Sequence, residues 1–307
     1  MRARPGRGSI VGMIEVRELT KDYGDKRAVN RLSFTARPGA VTGLVGPVGA
    51  GKSTTMRIIL GLEDPTSGTA LVNGQRHATS DRPMHRVGAL LDAGVRYGGH
   101  SAAEHLRLLA RSNGIDLRRV AEVLNEVGLR AMAGKRIGGL PLGMRQRLGI
   151  ACALLGDPGV LLFDEPMTGL DSDGIRWARD LMRSLAAAGR TVLVASHDLR
   201  ELAPIADQLI IIKRGELITE TSVRGLTERF RRDVFVRTPR RGGLTRVLTG
   251  MGAAVLAEPG GGLSVTGLAD WRIASAAAAH FMPIQELTPR GASPEDAYLK
   301  LISAGSA

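Results

Sequence analysis

Residues Gly46 to Thr54 read GPVGAGKST and match the spacing G-x-x-x-x-G-K-S/T. The residue types suit phosphate. Gly46, Gly49 and Gly51 let backbone N–H groups curl round an anion, with Pro47, Val48, Ala50 and Thr54 completing the cradle. The run opens a helix whose N-terminal dipole favours negative charge. Lys52 is placed to reach the β- and γ-phosphates of a nucleotide, and the Ser53 hydroxyl to ligate Mg2+. A second run, VLLFDEP over Val160–Pro166, is an apolar strand ending in two carboxylates. Successive strand residues point to opposite sides, so Asp164 and Glu165 need not share a task. Asp164 is placed for Mg2+, directly or through water, and Glu165 to polarise an attacking water.

These groups need a sheet to bring them together. Short apolar runs alternate with helical stretches from residue 14 to about 228, which predicts one α/β domain. The candidate strands are IEVREL, AVTGLVG, GVLLFD, TVLVAS and QLIIIK, the middle ones apolar on both faces as in a buried parallel sheet. Residues from about 95 to 158 carry three helical patterns, an insertion between two strands. They are SAAEHLRLLARSNG, LRRVAEVLNEVGL and GMRQRLGIACALLG. The run RFRRD at 229–233 marks a boundary. Beyond it, residues 233–307 read βαββαβα: a strand VFVRT, a helix GLTRVLTGMG, a hairpin AVLAE/LSVTG, a helix DWRIASAAAAH, a strand PIQEL and a last helix SPEDAYLKLIS. Ser293 and Asp296 form a capping box on that last helix, with Pro294 at its first turn. The order predicts a split-βαβ, ferredoxin-like α+β unit. Residues 1–12, with Arg2, Arg4 and Arg7 and no apolar core, do not form a secretory signal. They are expected to be a disordered extension ahead of a domain starting at Met13.

Composition narrows the classes. The chain of 307 residues has no apolar run near the ~18 residues that cross a bilayer, so any work at a membrane needs another chain to span it. The single cysteine, Cys152, makes no disulfide framework and sits in the apolar IACALLG, where an inert buried thiol is expected. The net charge of +12 fits a solvated arginine-rich surface, with nucleic acid or anionic headgroups as the other readings. Aromatics at 3% supply a base-stacking platform poorly, so no nucleic-acid partner is expected.

Further motifs follow in a set order: GMRQRLGIA after Leu142, MTGLDSDG after Pro166, and VASHDL at the end of a strand. The sequence P-loop, helical insert, GMRQRL, DEP, GLD, SH resembles the ABC ATPase family. Within that family the chain is most similar to the bacitracin, lantibiotic and daunorubicin-type bacterial export ATPases. The specific part of the resemblance covers residues 13–228; that of the C-terminal unit is weaker. It implies an ABC-type nucleotide-binding domain that takes ATP and Mg2+ and works as a homodimer or heterodimer. The dimer would power a separate transmembrane permease from the cytoplasmic face of the membrane. The exported substrate would be a drug, an antibiotic peptide or a lipid. The resemblance also implies that Tyr23 stacks on adenine, His197 senses the γ-phosphate, and Gly143 and Asp171 act across the dimer interface. Asp92 stands where most members have a glutamine that contacts Mg2+ and the lytic water; Asp keeps an oxygen but loses the amide. Val48 replaces a usual Asn in a loop that works mainly through its backbone.

The signature departs furthest. Members carry Leu-Ser-Gly-Gly where this chain has Leu140, Pro141, Leu142 and Gly143. In the family the serine hydroxyl and glycine amides contact the γ-phosphate bound by the partner. Pro141 supplies neither hydroxyl nor N–H, and Leu142 adds a side chain where a backbone comes close. Losing one hydrogen bond to phosphate costs roughly 1.5–3 kcal/mol, or roughly 10- to 150-fold in rate if it is felt only in the transition state. Lys52, Glu165 and His197 are intact, which predicts a slow or partner-dependent ATPase. Two other readings stay open at this level. One is a soluble ABC ATPase acting on ribosomes or nucleic acid; the other is a nucleotide-binding regulatory subunit with a degenerate signature.

Overall fold

The computed structural model of the chain describes residues 12–91, 99–229, 233–258, 261–290 and 293–304. The chain divides into two compact units, one ending at Val223 and one running from Arg224 to Ala304.

The strands of the first unit are β1 (Ile14–Tyr23), β2 (Lys26–Ala36), β3 (Val41–Val45), β4 (Ser67–Val72), β5 (Val87–Leu90), β6 (Val160–Asp164), β7 (Thr191–Ser196), β8 (Gln208–Lys213) and β9 (Glu216–Thr221). Its helices are α1 (Lys52–Ile59), the short α2 (Pro83–Arg86), α3 (Ala102–Ser112), α4 (Arg118–Glu126), α5 (Leu142–Leu154), α6 (Ser172–Ala187) and the short α7 (Leu199–Leu202). Six strands form a sheet in the order β5-β6-β7-β3-β8-β9, parallel except for β9. Strands β3, β6 and β7 are buried at every residue, the consequence of cover on both faces. A separate antiparallel sheet, β2-β1-β4, shares its core: Ile14, Leu32 and Phe34 join Leu44, Met56, Ile59, Leu162 and Leu193 in one cluster. Each such fully buried aliphatic side chain contributes about 1.5–3 kcal/mol of hydrophobic stabilisation before chain entropy is counted.

All five expected strands of this unit are present, and β2, β4, β5 and β9 are additional. β5 has four residues, too few for a periodicity to show. Its Gly88 lies so close to α5 that a Cβ would sit 1.9 Å from the Ala153 carbonyl oxygen. The three insert helices fall between β5 and β6, as their patterns predict. α3 opens with a full capping box in which Ser101 accepts from the Glu104 N–H and Glu104 from the Ser101 N–H. α5 starts at Leu142, one residue before its expected start at Gly143. Gly12 packs on Gly159 and its carbonyl accepts from the Thr191 hydroxyl. Residues 1–11 lie outside the described residues.

The second unit begins in α8 (Val223–Arg229) and continues through β10 (Asp233–Arg237), α9 (Arg241–Gly250), β11 (Ala254–Ala257), β12 (Leu263–Thr266), α10 (Asp270–Ala279), β13 (Glu286–Arg290) and α11 (Pro294–Ala304). Its antiparallel sheet runs β11-β12-β10-β13, the strand order of a ferredoxin-like fold. Val234 and Val236 of β10 pack with Leu244 and Leu248 of α9 and Ile273 of α10. The last strand is displaced from the expected PIQEL to ELTPR, because Leu287 pairs with Val236 and carries the ladder on to Arg290. At the start of α11 the Ser293 hydroxyl accepts from the Asp296 N–H at 3.0 Å, the forward half of the expected box.

Candidate functional site

The carboxyl ends of β6, β7 and β3 lie side by side: Asp164 pairs with Ala195, and Ser196 with Val45. Each strand delivers one motif there. The chain leaves β3 through Gly46, where a Cβ would meet the Ile212 carbonyl oxygen at 2.4 Å. It enters α1 through Gly51, whose φ of 100° is a left-handed conformation open to glycine. No side chain caps α1, so its first N–H groups remain available to an anion.

Lys52 is buried. Its Nζ donates to the carbonyls of Gly46 at 2.7 Å and Pro47 at 3.2 Å and lies 3.7 Å from Glu165 Oε1. Burial pulls its ammonium below the usual lysine range, against the charges of Glu165 and Asp164. Asp164 is also buried, with Oδ1 lacking any hydrogen-bond partner. Burial pushes its carboxyl above the ordinary value; hydrogen bonding from Ser53 opposes this and the charge of Glu165 adds to it. An orphaned buried carboxylate oxygen beside a serine hydroxyl fits a hard divalent cation. Mg2+ takes one or two carboxylates and completes its shell with water and phosphate oxygens. Among the described residues no three His, Cys, Asp or Glu side chains gather as a self-sufficient metal cage.

Glu165 is the most constrained residue of the site. Its φ of +48° is uncommon for a residue with a side chain and costs about 1–3 kcal/mol. Its N–H donates to Ala195 O at 2.9 Å. Oε1 accepts from the His197 backbone N–H at 2.9 Å, and Oε2 lies 2.9 Å from His197 Nδ1. Ser196 is fully buried and donates to Glu201 Oε2 at 2.7 Å. Burial raises the Glu201 carboxyl above its ordinary value. Gln146 of α5, also buried, donates to the Glu165 carbonyl at 2.9 Å.

Tyr23, Gly49, Ala50, Gly51, Lys52, Ser53 and Thr54 line one cleft of about 400 Å3. Tyr23 closes the end of β1, half exposed, its hydroxyl bonded to Glu63. Val48, at 88% exposure, leaves its side chain in solvent. A second cleft of about 480 Å3 takes in Pro141, Gly143, Gly169 and Asp171 and shares no residue with the first. One chain therefore brings Tyr23, the P-loop, Asp164, Glu165 and His197 together, and holds Gly143 and Asp171 in a different place. Asp171 caps α6, accepting from the Gly174 N–H at 2.8 Å. Asp92 lies outside the described residues. The Cys152 thiol is pushed up to about 12 by burial, which makes it a poor nucleophile.

At the signature, Pro141 caps α5 without a side-chain bond; the Met144 and Arg145 N–H groups both donate to its carbonyl at 3.0 Å. Leu142 lies over Gly169, where a Cβ would come 2.4 Å from Leu142 Cδ2. Sequence reasoning missed the contacts of Gln146, Ser196 and Glu201. Gln146 and Ser196 sit inside motifs read for another purpose and Glu201 lies just beyond one, and only the packing of α5 and α7 on the strand ends gives each its partner.

A model of the family described as ABC transporter matches residues 29–168, and the model of a Domain of unknown function (DUF8746) matches residues 232–295. The lantibiotic transport ATP-binding protein SrtF of Streptococcus pyogenes is 34% identical over 213 residues, 69% of this chain and 92% of that protein. The bacitracin transport ATP-binding protein BcrA of Bacillus licheniformis is 38% identical over 223 residues, 72% of this chain and 73% of its own. Among solved structures, the dimeric ATP-binding cassette MJ0796, bound to ADP and Pi in a post-hydrolysis state, superposes with a TM-score of 0.63 at 26% identity. The match covers 69% of this chain and 99% of that one.

Proposed function

The chain belongs to the ABC transporter family of ATP-binding subunits, and from that premise we propose that it is the ATP-hydrolysing subunit of an exporter. One observation carries the reading. Lys52 Nζ lies 3.7 Å from the Glu165 carboxylate, whose two oxygens are both engaged by His197. A phosphate-binding lysine and an oriented base thus face the same point.

The roles that the family resemblance implies are supported by the geometry. Tyr23 stacks on adenine at one end of the cleft. The backbone of Gly46–Thr54 and the N-terminus of α1 take the β- and γ-phosphates. Lys52, held by two carbonyls, exchanges them for phosphate oxygens. Ser53 and Asp164 would hold Mg2+, which when bound would neutralise phosphate charge. Glu165 accepts the proton of the attacking water, and His197 fixes the carboxylate's direction and senses the γ-phosphate. Gly143 and Asp171 serve the nucleotide of a second copy or of a related subunit. Their separation from the P-loop cleft within one chain supports that division.

The ATP-binding domain runs over 13–228, and the unit at 233–307 is an appendage to it. Among the described residues no helix is long and apolar enough to cross a membrane. Relatives named as transport ATP-binding proteins support a separate permease as the path of the transported molecule. The subunit docks on that permease at the cytoplasmic face. Relatives named for lantibiotic and bacitracin transport support an antibiotic peptide, drug or lipid as cargo.

The test is Mg-ATP turnover by the subunit co-purified with its membrane partner, against Glu165→Gln. Turnover that vanishes in the variant supports the reading. Bound ATP without turnover overturns it in favour of a regulatory subunit.

A further inference from the structure

The first turns of α5 are keyed into the turn that follows β6. Leu142 lies on Gly169, and the Gly143 backbone comes so close to the Gly169 carbonyl oxygen that a Cβ would lie 2.8 Å from it. One helical turn further on, Gln146 is 2% exposed and its Nε2 donates to the Glu165 carbonyl at 2.9 Å. Positions 142, 143 and 146 share a helix face by their spacing of three and four. All three contacts bear on the five residues from Glu165 to Gly169.

The recipient of the Gln146 bond is the strained residue of the site. Glu165 holds its φ of +48° between two anchors: its N–H is tied to β7 through Ala195 O, and its carbonyl is tied to α5 through Gln146. The same carbonyl accepts from the Thr168 N–H at 3.2 Å, so the turn itself leans on this atom. A left-handed glutamate persists only where its surroundings over-determine it. Removing one anchor lets the backbone relax and swings the carboxylate away from His197 and Lys52.

We propose that Gln146 is a positioning residue for Glu165, holding the main-chain conformation that aims its carboxylate into the P-loop cleft. Its amide is buried and bonded to the Glu165 carbonyl, so it acts through Glu165. This inference rests on the reading of Glu165 as the base of ATP hydrolysis. It also gives the signature helix a task in its own subunit: the turn that presents Gly143 to a partner's nucleotide is the turn that steadies this copy's base.

The test compares Gln146→Leu and Gln146→Glu with the wild type and Glu165→Gln, using the full chain with its membrane partner. Leu keeps bulk and deletes the donor; Glu keeps length and sets an oxygen against the carbonyl. The expected result is a fall in kcat of about 10- to 100-fold with KM for ATP within about twofold and melting temperature unchanged, the split that marks a group acting after binding. Unchanged kcat overturns the proposal. So does a joint loss of kcat, ATP affinity and melting temperature, which marks a packing residue. If the wild type turns over no faster than Glu165→Gln, the functional reading fails and Gln146 is still decided by hydrogen exchange. Exchange at the Thr168 amide about tenfold faster in both variants, with the Thr55 amide of α1 unchanged, upholds the link. An unchanged Thr168 amide overturns it.

Discussion

His197 holds Glu165 twice, by its backbone N–H to Oε1 and by Nδ1 to Oε2, both at 2.9 Å. The two bonds differ in what a mutation can reach. His197→Ala deletes the ring contact and leaves the main-chain one. The carboxylate loses direction, while the phosphate cradle keeps its shape. Steady-state kinetics with the membrane partner are expected to give kcat down by about 10- to 150-fold and ATP affinity within a few fold. A selective loss of affinity would count against this division of labour.

Asp164 predicts a pH-dependent difference. Burial raises its folded pKa above the unfolded value of 3.8, so the native state binds the extra proton between the two values. Its contribution to stability is therefore fully present below the unfolded value and is lost as pH rises through the raised one. Asp164→Asn lacks this slope. Denaturant unfolding of both proteins without Mg2+, repeated from acid to neutral pH, is expected to show the variant gaining on the wild type as pH rises. The same variant should weaken Mg-ATP binding at least about tenfold and leave Mg-free ATP binding little changed.

Pro141→Ser returns a hydroxyl to the head of α5, where no side chain now caps the helix. Two separate gains are expected. The cap should stabilise the chain by about 0.5–2 kcal/mol in urea unfolding. The hydroxyl should raise turnover by roughly 10- to 150-fold if phosphate contact is what Pro141 forfeits. Stabilisation without faster turnover would place the rate limit elsewhere.

Tyr23 lines the P-loop cleft half exposed, with Lys21 Nζ 5.0 Å from its ring centre. Stacking of a base on such a ring contributes about 1–3 kcal/mol. Tyr23→Ala should raise KM for ATP about 5- to 150-fold and leave kcat unchanged. Equal loss with ATP and with inorganic triphosphate would show that the ring does not meet the base.

The pieces that depend on neighbouring residues alone are legible in the chain. A phosphate cradle depends on glycine spacing, one lysine and a helix start, all within Gly46–Thr54, so its chemistry is legible without coordinates. The same holds for the two-sided apolar runs of β3, β6 and β7, and for the βαββαβα order that gives the sheet β11-β12-β10-β13. Short or edge elements were not legible. β5 has too few residues to show a period, and β13 slid three residues because pairing with β10, rather than its own apolar content, sets its register. How the motifs meet depends on the packing of distant segments. Strand order put β7 between β6 and β3, which set His197 against Glu165. The packing of α5 put the Gln146 amide on the Glu165 carbonyl, 19 residues away in sequence. Such contacts join residues far apart in the chain, and residue type alone does not say which distant atom will lie within 3 Å.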